Sequence, residues 1–538
     1  MDDDFVLVVA KIILALLVGY SYLFYLRKKP STTIDGALLR RPPKAAVGMW
    51  ETIRAVEGDE APFFMLKLAR SLPNDPVFQV PIPLPGGVYA VANSKLQRQV
   101  MLDKRADKPD ALYGKFIAPG NPRSIFTRST FDPRWKSTRK CAAPAFSKNQ
   151  VGRMNSVCNE FVEKWIENRL EGKFIAKNES FDPSEEMTQL TYFTIMKAGF
   201  EYDVTEEEYR RYVNNVHGFL REFGLRQVAN PLRRPFGWFL AGYRNAIRGV
   251  HENFGFLQNI LDTYRKLPVE ERSPDNTLIK LLTKNTDDAT EDIQIVAEMG
   301  TFVAGGFETT GFTLSTTLVL LAMHPDIQSK VRRAQFELPK EERTKVTSEY
   351  LKCVLKESRR FLPVVAMGAS RQLPVAFKLG DYEIPAGAML LLPQMLSHRD
   401  ANIFAPDPDV FRPERWLDPS SEMNESLISF ATGARNCVGQ SLAVAELDSV
   451  LPLLLTNYEF TIDEPGGFKY FLTLKIMGAK LRANRVHEVN WSAVLSWWIA
   501  RLSGWDGVYK PGEANEIDML LHRSPIPSLA TRGGAGEG

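Results

Sequence analysis

Cysteine is scarce in this chain. Only four occur in 538 residues, Cys141, Cys158, Cys353 and Cys437, and no two stand in CxxC spacing. That argues against a structural zinc site and a disulfide scaffold, and it suits a reducing compartment. Charge of one sign is also missing: 67 Lys+Arg against 64 Asp+Glu leave a formal net charge of +3. There is no polyelectrolyte argument for nucleic acid, and no nucleic-acid partner is expected. No G-x-G-x-x-G follows a strand, so no flavin or dinucleotide fingerprint is present. Low-complexity blocks and internal repeats are absent between Met49 and Arg485, which reads as one large domain, 49–485. The 44% hydrophobic content is ordinary for a protein with a sizeable core.

One long apolar run is present. Phe5 to Leu26 carries a single charge, Lys11, and is long enough to span a bilayer as a helix. Asp2, Asp3 and Asp4 precede it, and Arg27, Lys28 and Lys29 follow it. The basic cluster stays cytosolic, which leaves residues 1–4 luminal and everything after Arg27 cytosolic. A cleaved signal peptide needs a basic start and a small-residue cleavage site, but this chain starts acidic and ends the run in Tyr-Leu-Phe-Tyr-Leu. The expectation is a retained single-pass anchor, then a basic, proline-containing linker over 27–48.

Beyond the linker, Val77–Val80 and Val88–Ala92 read as a strand pair around Pro85-Gly86-Gly87. Arg153–Leu170 and Ala289–Met323 have helical apolar spacing, the second stopping at His324-Pro325. Tyr382 to Gly387 reads as a hairpin turn followed by a strand. After Arg485 the chain becomes tryptophan-rich, with Trp491, Trp497, Trp498 and Trp505. A helix packed on the domain and a helix lying on a membrane both fit this segment, 486–538. Its final Gly-Gly-Ala-Gly-Glu-Gly reads as disordered.

The most informative stretch is Phe430-Ala431-Thr432-Gly433-Ala434-Arg435-Asn436-Cys437-Val438-Gly439. A lone cysteine is usually a buried structural residue. This one stands between small residues at the start of an apolar helix, where backbone N–H groups favour a thiolate. Gly433 and Gly439 leave room for a flat macrocycle, Phe430 can shield the sulfur, and Arg435 can meet an anionic edge. The spacing F-x-x-G-x-R-x-C-x-G resembles that of the cytochrome P-450 superfamily, and the anchor and proline linker suit its microsomal eukaryotic type. The resemblance implies that Cys437 is the thiolate ligand of a haem b iron, a donor that favours O–O cleavage.

Three further stretches resemble that family in the family's order. Glu357-Ser358-Arg359-Arg360 and Phe411-Arg412-Pro413-Glu414-Arg415-Trp416 imply a triad of Glu357, Arg360 and Arg415 supporting the cysteine loop from behind. A surface pair at the Glu357–Arg360 spacing would be worth only about 0.2–0.5 kcal/mol. Ala304-Gly305-Gly306-Phe307-Glu308-Thr309 lies mid-helix, where two glycines cost roughly 1 kcal/mol each relative to alanine. Close helix packing would explain them. The resemblance implies instead a kink that admits dioxygen, with Thr309 hydrogen-bonding the reacting oxygen and Glu308 relaying protons. Trp135-Lys136-Ser137-Thr138-Arg139 matches W-x-x-x-R, implying that Trp135 and Arg139 meet haem propionates; Arg371 is a further candidate for that role or for the surface. His398 fits the family's structural His-Arg-Asp stretch better than an iron ligand.

These readings converge on a mainly α protein with a small β-rich region, the cytochrome P-450 fold, after one N-terminal transmembrane helix. The implied activity is a monooxygenase of the endoplasmic reticulum membrane acting on an apolar small molecule with dioxygen. Its electrons would come from a separate NADPH-dependent reductase, with cytochrome b5 as a further partner. Two rivals stand beside it: a haem-thiolate isomerase or dehydratase acting on a hydroperoxide, and a non-catalytic membrane protein that binds lipids or partners.

Overall fold

Local sequence signals start the helices that carry the site. The computed structural model describes residues 39–486, except 83, 119–120, 228–229, 231–232, 234, 273–274 and 285–290. The expected anchor at Phe5–Leu26 and the tryptophan-rich tail lie outside the described residues, and among those described no helix is long and apolar enough to cross a membrane. Taken in chain order, the elements used below are helices α1 (Met49–Glu57), α2 (Pro133–Ala142), α3 (Lys148–Trp165), α4 (Pro183–Phe200), α5 (Glu206–Phe219), α6 (Ala241–Lys266), α7 (Asp292–Met323), α8 (Pro325–Phe336), α9 (Glu349–Phe361) and α10 (Gln440–Asn457). Asp132 caps α2 and Asp182 caps α4, each with proline in the first turn. Thr205 and Glu208 form a capping box on α5, and Ser348 caps α9. Each cap satisfies first-turn N–H groups that the helix itself leaves without partners.

The central helix α7 is buried over most of its length, as expected of a helix apolar on nearly every side. It ends at His324 because Pro325 opens α8. At Gly305-Gly306 the helix assignment runs on without a break. The two glycines also have different reasons. A Cβ at Gly306 would lie 3.1 Å from Ile195 of α4, and one at Gly311 only 2.7 Å from the Thr188 backbone, whereas one at Gly305 would meet nothing within 4 Å. Close packing against α4 explains Gly306 and Gly311, and Gly305 leaves one face of the helix open. The expected helix Arg153–Leu170 is found as α3 followed by a π-helical continuation, Ile166–Ile175.

The strands are few and short. Val77–Val80 (β1), Val88–Val91 (β2), Ala369–Gln372 (β3), Phe377–Leu379 (β4), Tyr382–Ile384 (β5) and Met389–Leu392 (β6) make a four-stranded sheet of order β1-β2-β6-β3 and a β4-β5 hairpin. The β1–β2 turn needs glycine: Gly86 has φ +81°, and a Cβ there would lie 2.7 Å from the Gly387 backbone. Tyr382–Ile384 is strand rather than the expected turn, because it pairs with β4 across Gly380-Asp381. Tyr458–Glu464 (β7), Gly467–Phe471 (β8), Thr473–Met477 (β9) and Lys480–Arg485 (β10) close the described chain as two further antiparallel pairs.

One apolar cluster joins α3, α7, α9 and α10 to β7, β9 and β10. A second joins the first half of α7 to α4, α5 and α6, and it includes Leu442 of α10 with Val438 and Ala304 packed against it. That packing brings the cysteine loop alongside the Ala304 segment.

A buried ionic knot pins α9 to the chain that precedes the cysteine loop. Glu357 accepts from Arg360 Nε and Nη2 (2.8 and 2.7 Å), Arg415 Nε (3.0 Å), the Arg412 N–H (2.9 Å) and Trp416 Nε1 (2.8 Å). The two guanidiniums donate onward to the carbonyls of His398, Phe404, Asp407, Pro408 and Val410. Burial opposes the charge on Glu357, but Arg360 and Arg415 hold its carboxyl below the usual range. Removing one member leaves buried partners uncompensated, which costs about 3–5 kcal/mol. Glu357→Ala is therefore expected to lower the denaturant midpoint sharply, while the exposed Lys352→Ala leaves it unchanged; chemical unfolding followed by circular dichroism checks both.

Candidate functional site

The cysteine sits at the foot of α10. Gly433 has φ +75°, and a Cβ there would lie 2.6 Å from the Met101 carbonyl oxygen. Glycine is thus required there by the backbone conformation and by Met101. At Gly439, the residue before α10, a Cβ would make only an ordinary contact, 3.6 Å from Phe146. The Cys437 N–H donates to the Phe430 carbonyl (2.9 Å), closing the loop on itself. Arg359 of α9 lies 5.5 Å from the centre of the Phe430 ring, which ties the loop to the helix of the ionic knot.

Cys437 keeps an exposed surface although the surrounding protein desolvates it. Burial pushes the thiol up, while the Gly439 N–H and the Arg139 guanidinium oppose that shift.

Cations crowd the same place. Arg139 of α2 donates to the carbonyl (3.0 Å) and side chain of Asn436, next to the cysteine. Arg435 lies 4.0 Å above the Trp135 ring. Arg435 also donates to Thr130 Oγ1 (2.9 Å) and to the carbonyls of Ile125 (3.0 Å) and Arg128 (2.5 Å), which fixes the guanidinium beside the loop. Burial lowers it to about 10. Arg371, on β3, is 3% exposed, so the surface alternative falls away.

Sequence reasoning missed Lys108, which is half-buried between the rings of Tyr113 and Phe126, 4.3 Å from each. Burial, Arg435 and Arg371 hold its ammonium well below the usual lysine range, and Asp107 only partly offsets them. In the sequence Arg-Ala-Asp-Lys-Pro-Asp the lysine looks like one more surface charge. Four cations, Lys108, Arg139, Arg371 and Arg435, thus gather around the cysteine loop with Asp107 as their near acid. Such a surplus suits a ligand bearing carboxylates. The donor set therefore fits a haem, with sulfur for the iron and cations for the propionates.

On α7 the acid and the hydroxyl do not bond to each other. The Thr309 hydroxyl donates to the Gly305 carbonyl (2.8 Å), and Glu308 accepts from Lys475 Nζ (2.8 Å) of β9. Both residues line an apolar cavity of about 1200 Å³, together with Gly305, Ala304, Leu391 and Leu472. One wall, Ser124–Thr127, is tied to α7 by Glu298, which accepts from the Ile125 N–H (2.8 Å) and Gln294 Nε2 (2.9 Å).

A cysteine at the start of an apolar helix, ringed by cations and flanked by an apolar cavity, is the site of the haem-thiolate class. The comparisons with known proteins agree. A family model described as Cytochrome P450 matches residues 54–482. "Putative cytochrome P450 CYP13A10" of Caenorhabditis elegans is 27% identical over 74% of this chain and 83% of its own length. "Cytochrome P450 3A9" of Rattus norvegicus is 25% identical over 61% of this chain and 68% of its own. "Bifunctional cytochrome P450/NADPH--P450 reductase 2" of Bacillus subtilis is 26% identical over 71% of this chain, which spans 37% of that longer protein. The chain belongs to the cytochrome P450 family. It is accordingly a monooxygenase of the oxidoreductase class, with haem b as its cofactor.

Two outcomes are expected. Lys108→Met and Arg371→Met each speed haem loss to an excess haem-binding scavenger, by about tenfold for a lost charge-assisted hydrogen bond. Glu298 is pushed up to about 7, chiefly by burial, with the Ile125 N–H opposing. An acid whose folded pKa is raised loses stability as pH climbs from its unfolded value to its folded one. Stability, followed by denaturant unfolding, should therefore fall between about pH 4.5 and 7, by about 3 kcal/mol at most, and Glu298→Gln should remove that slope.

Proposed function

We propose that this protein is a membrane-anchored monooxygenase of a large apolar substrate, supplied with electrons by a separate NADPH-dependent reductase and by cytochrome b5. The observation that carries the reading is the tie between α2 and the cysteine loop, Arg139 to Asn436 and Arg435 over Trp135, in a fold whose α7 lines a cavity of about 1200 Å³. That volume is at the upper end for small-molecule sites, and its apolar lining favours an apolar ligand. The Phe5–Leu26 run with its basic flank supports an anchor in the endoplasmic reticulum membrane with the catalytic domain in the cytosol.

Each residue has one task. Cys437 ligates the metal, and Phe430 screens the sulfur from water. Trp135, Arg139, Arg371, Arg435 and Lys108 hold the propionates. Glu357, Arg360 and Arg415 keep the loop in place from behind, with Gly433 and Gly439 at its bends. When bound, the haem supplies the redox chemistry, in which one atom of dioxygen enters the substrate and the other leaves as water, two electrons and two protons being taken up. The open face at Gly305 leaves space there, the Thr309 hydroxyl stands on the cavity wall to hydrogen-bond the reacting oxygen, and Glu308 hands on protons.

The reduced protein treated with carbon monoxide should show a thiolate-type Soret band that Cys437→Ser abolishes. Apolar compounds that enter the cavity should shift the ferric Soret band, and product should form only with NADPH and purified reductase. Turnover of a hydroperoxide without reductase would instead establish the isomerase or dehydratase chemistry.

A further inference from the structure

Glu308 has company that the family pattern does not announce. Its Oε1 lies 2.8 Å from Lys475 Nζ and 3.3 Å from His217 Nε2. The same imidazole nitrogen is 3.5 Å from Lys475 Nζ. Lys475 is fully buried, its ammonium 4.5 Å from the Phe312 ring centre and 4.4 Å from that of Phe471. The three groups come from α5, α7 and β9, and none follows from its neighbours in sequence. Glu308 lines the cavity beside Thr309. His217 does not line it, yet a quarter of its side chain is exposed. The open part of the imidazole therefore faces away from the cavity, so the ring stands between the outside of the fold and an acid on the inside.

We propose that His217 and Lys475 are positioning residues acting through Glu308: Lys475 pins the carboxylate, and His217 resupplies it with protons from solvent. This rests on the monooxygenase reading above. The Nε2 atom has two neighbours of opposite character. Protonated, it donates to Glu308 Oε1; unprotonated, it accepts from the Lys475 ammonium. The imidazole thus keeps a partner in either state. In the transfer, the Nε2–H bond breaks and an O–H bond forms on Glu308. The neutral ring, which keeps its Nδ1–H, turns so that Nε2 takes the next proton from hydronium in solvent, leaving water, and then turns back. Glu308 passes its own proton to water in the cavity beside Thr309 and returns to the carboxylate. Glu308 and Lys475 cancel in charge, so the single positive charge that enters at His217 is the one that leaves into the cavity. Two protons are consumed for each dioxygen reduced, and the path is used twice per turnover.

The electrostatics suit this assignment. Burial opposes ionisation of Glu308, but the Lys475 ammonium and His217 hold its carboxyl below the usual range. A proton received there is readily released. Burial also lowers Lys475, with Glu308 opposing, and the other charges acting on Lys475 are those of Arg221 and Asp59. A lysine alone would satisfy the buried carboxylate. The histidine is surplus to that task, and its position suits proton entry.

The test uses the full-length haem protein with reductase, NADPH and a compound that shifts the Soret band. Product formed per NADPH consumed, hydrogen peroxide released and the solvent deuterium isotope effect are measured across pH. His217→Phe should keep the thiolate-type carbon monoxide spectrum, lose coupling by about tenfold or more, divert NADPH to peroxide and change the shape of the pH profile. Lys475→Met should also change that profile, and Lys475→Arg should restore it. If His217→Phe loses the spectrum, His217→Gln is held to the same criteria. Coupling, isotope effect and pH profile all unchanged in a spectrally intact His217 variant would overturn the proposal. A parent protein lacking the thiolate-type spectrum would overturn the monooxygenase reading itself, and that failure is distinct because it precedes any substitution.

Discussion

A buried carboxylate must be paid for in hydrogen bonds, and around Glu357 this one requirement organises a large part of the chain. Arg360, Arg415, Trp416 and the Arg412 N–H all converge on it, and the guanidiniums pass the constraint on to carbonyls between His398 and Val410. An ion pair in a dry interior is stable only when every partner is in place. The segment 398–416 therefore has one conformation available beside α9. The cysteine loop follows directly and is held to the same helix by Arg359 over Phe430.

Three electrostatic centres in this fold differ in how they are balanced. The Glu357 knot is closed among protein groups and behaves as scaffold. The cations around Cys437 are in surplus over Asp107, a surplus that haem carboxylates answer. The Glu308 centre lies between these extremes: it is neutral with Lys475 alone and has an imidazole that makes proton traffic possible. The three centres thus follow from one rule, that buried charge must be matched, applied with three different remainders.

The cavity is built on the same frame. Gly306 and Gly311 let α7 press against α4, and Gly305 keeps one face clear. Glu298 ties the Ser124–Thr127 wall to the same helix through the Ile125 N–H. The helix that supplies Thr309 is thus also the post on which the substrate chamber hangs.

Local structure was legible from residues alone at the α7 stop, His324-Pro325, and at the β1–β2 turn, Gly86-Gly87, whereas the cysteine loop was legible through its family spacing. In the first two, neighbouring residues supply the determining physics, a missing N–H or a positive φ. Neighbouring residues also misled where pairing decided the outcome. Tyr382–Ile384 is strand because β4 lies beside it. Lys108, Lys475 and His217 were invisible for the same reason. A lysine in a charged run, a lysine in an apolar strand and a histidine on a helix gain meaning only when distant segments bury them beside a particular partner. Sequence by itself determined the chemistry that one loop or one helix turn can hold; tertiary structure decided which charges would be left to face each other, because desolvation and Coulomb energy depend on distance in space and not along the chain.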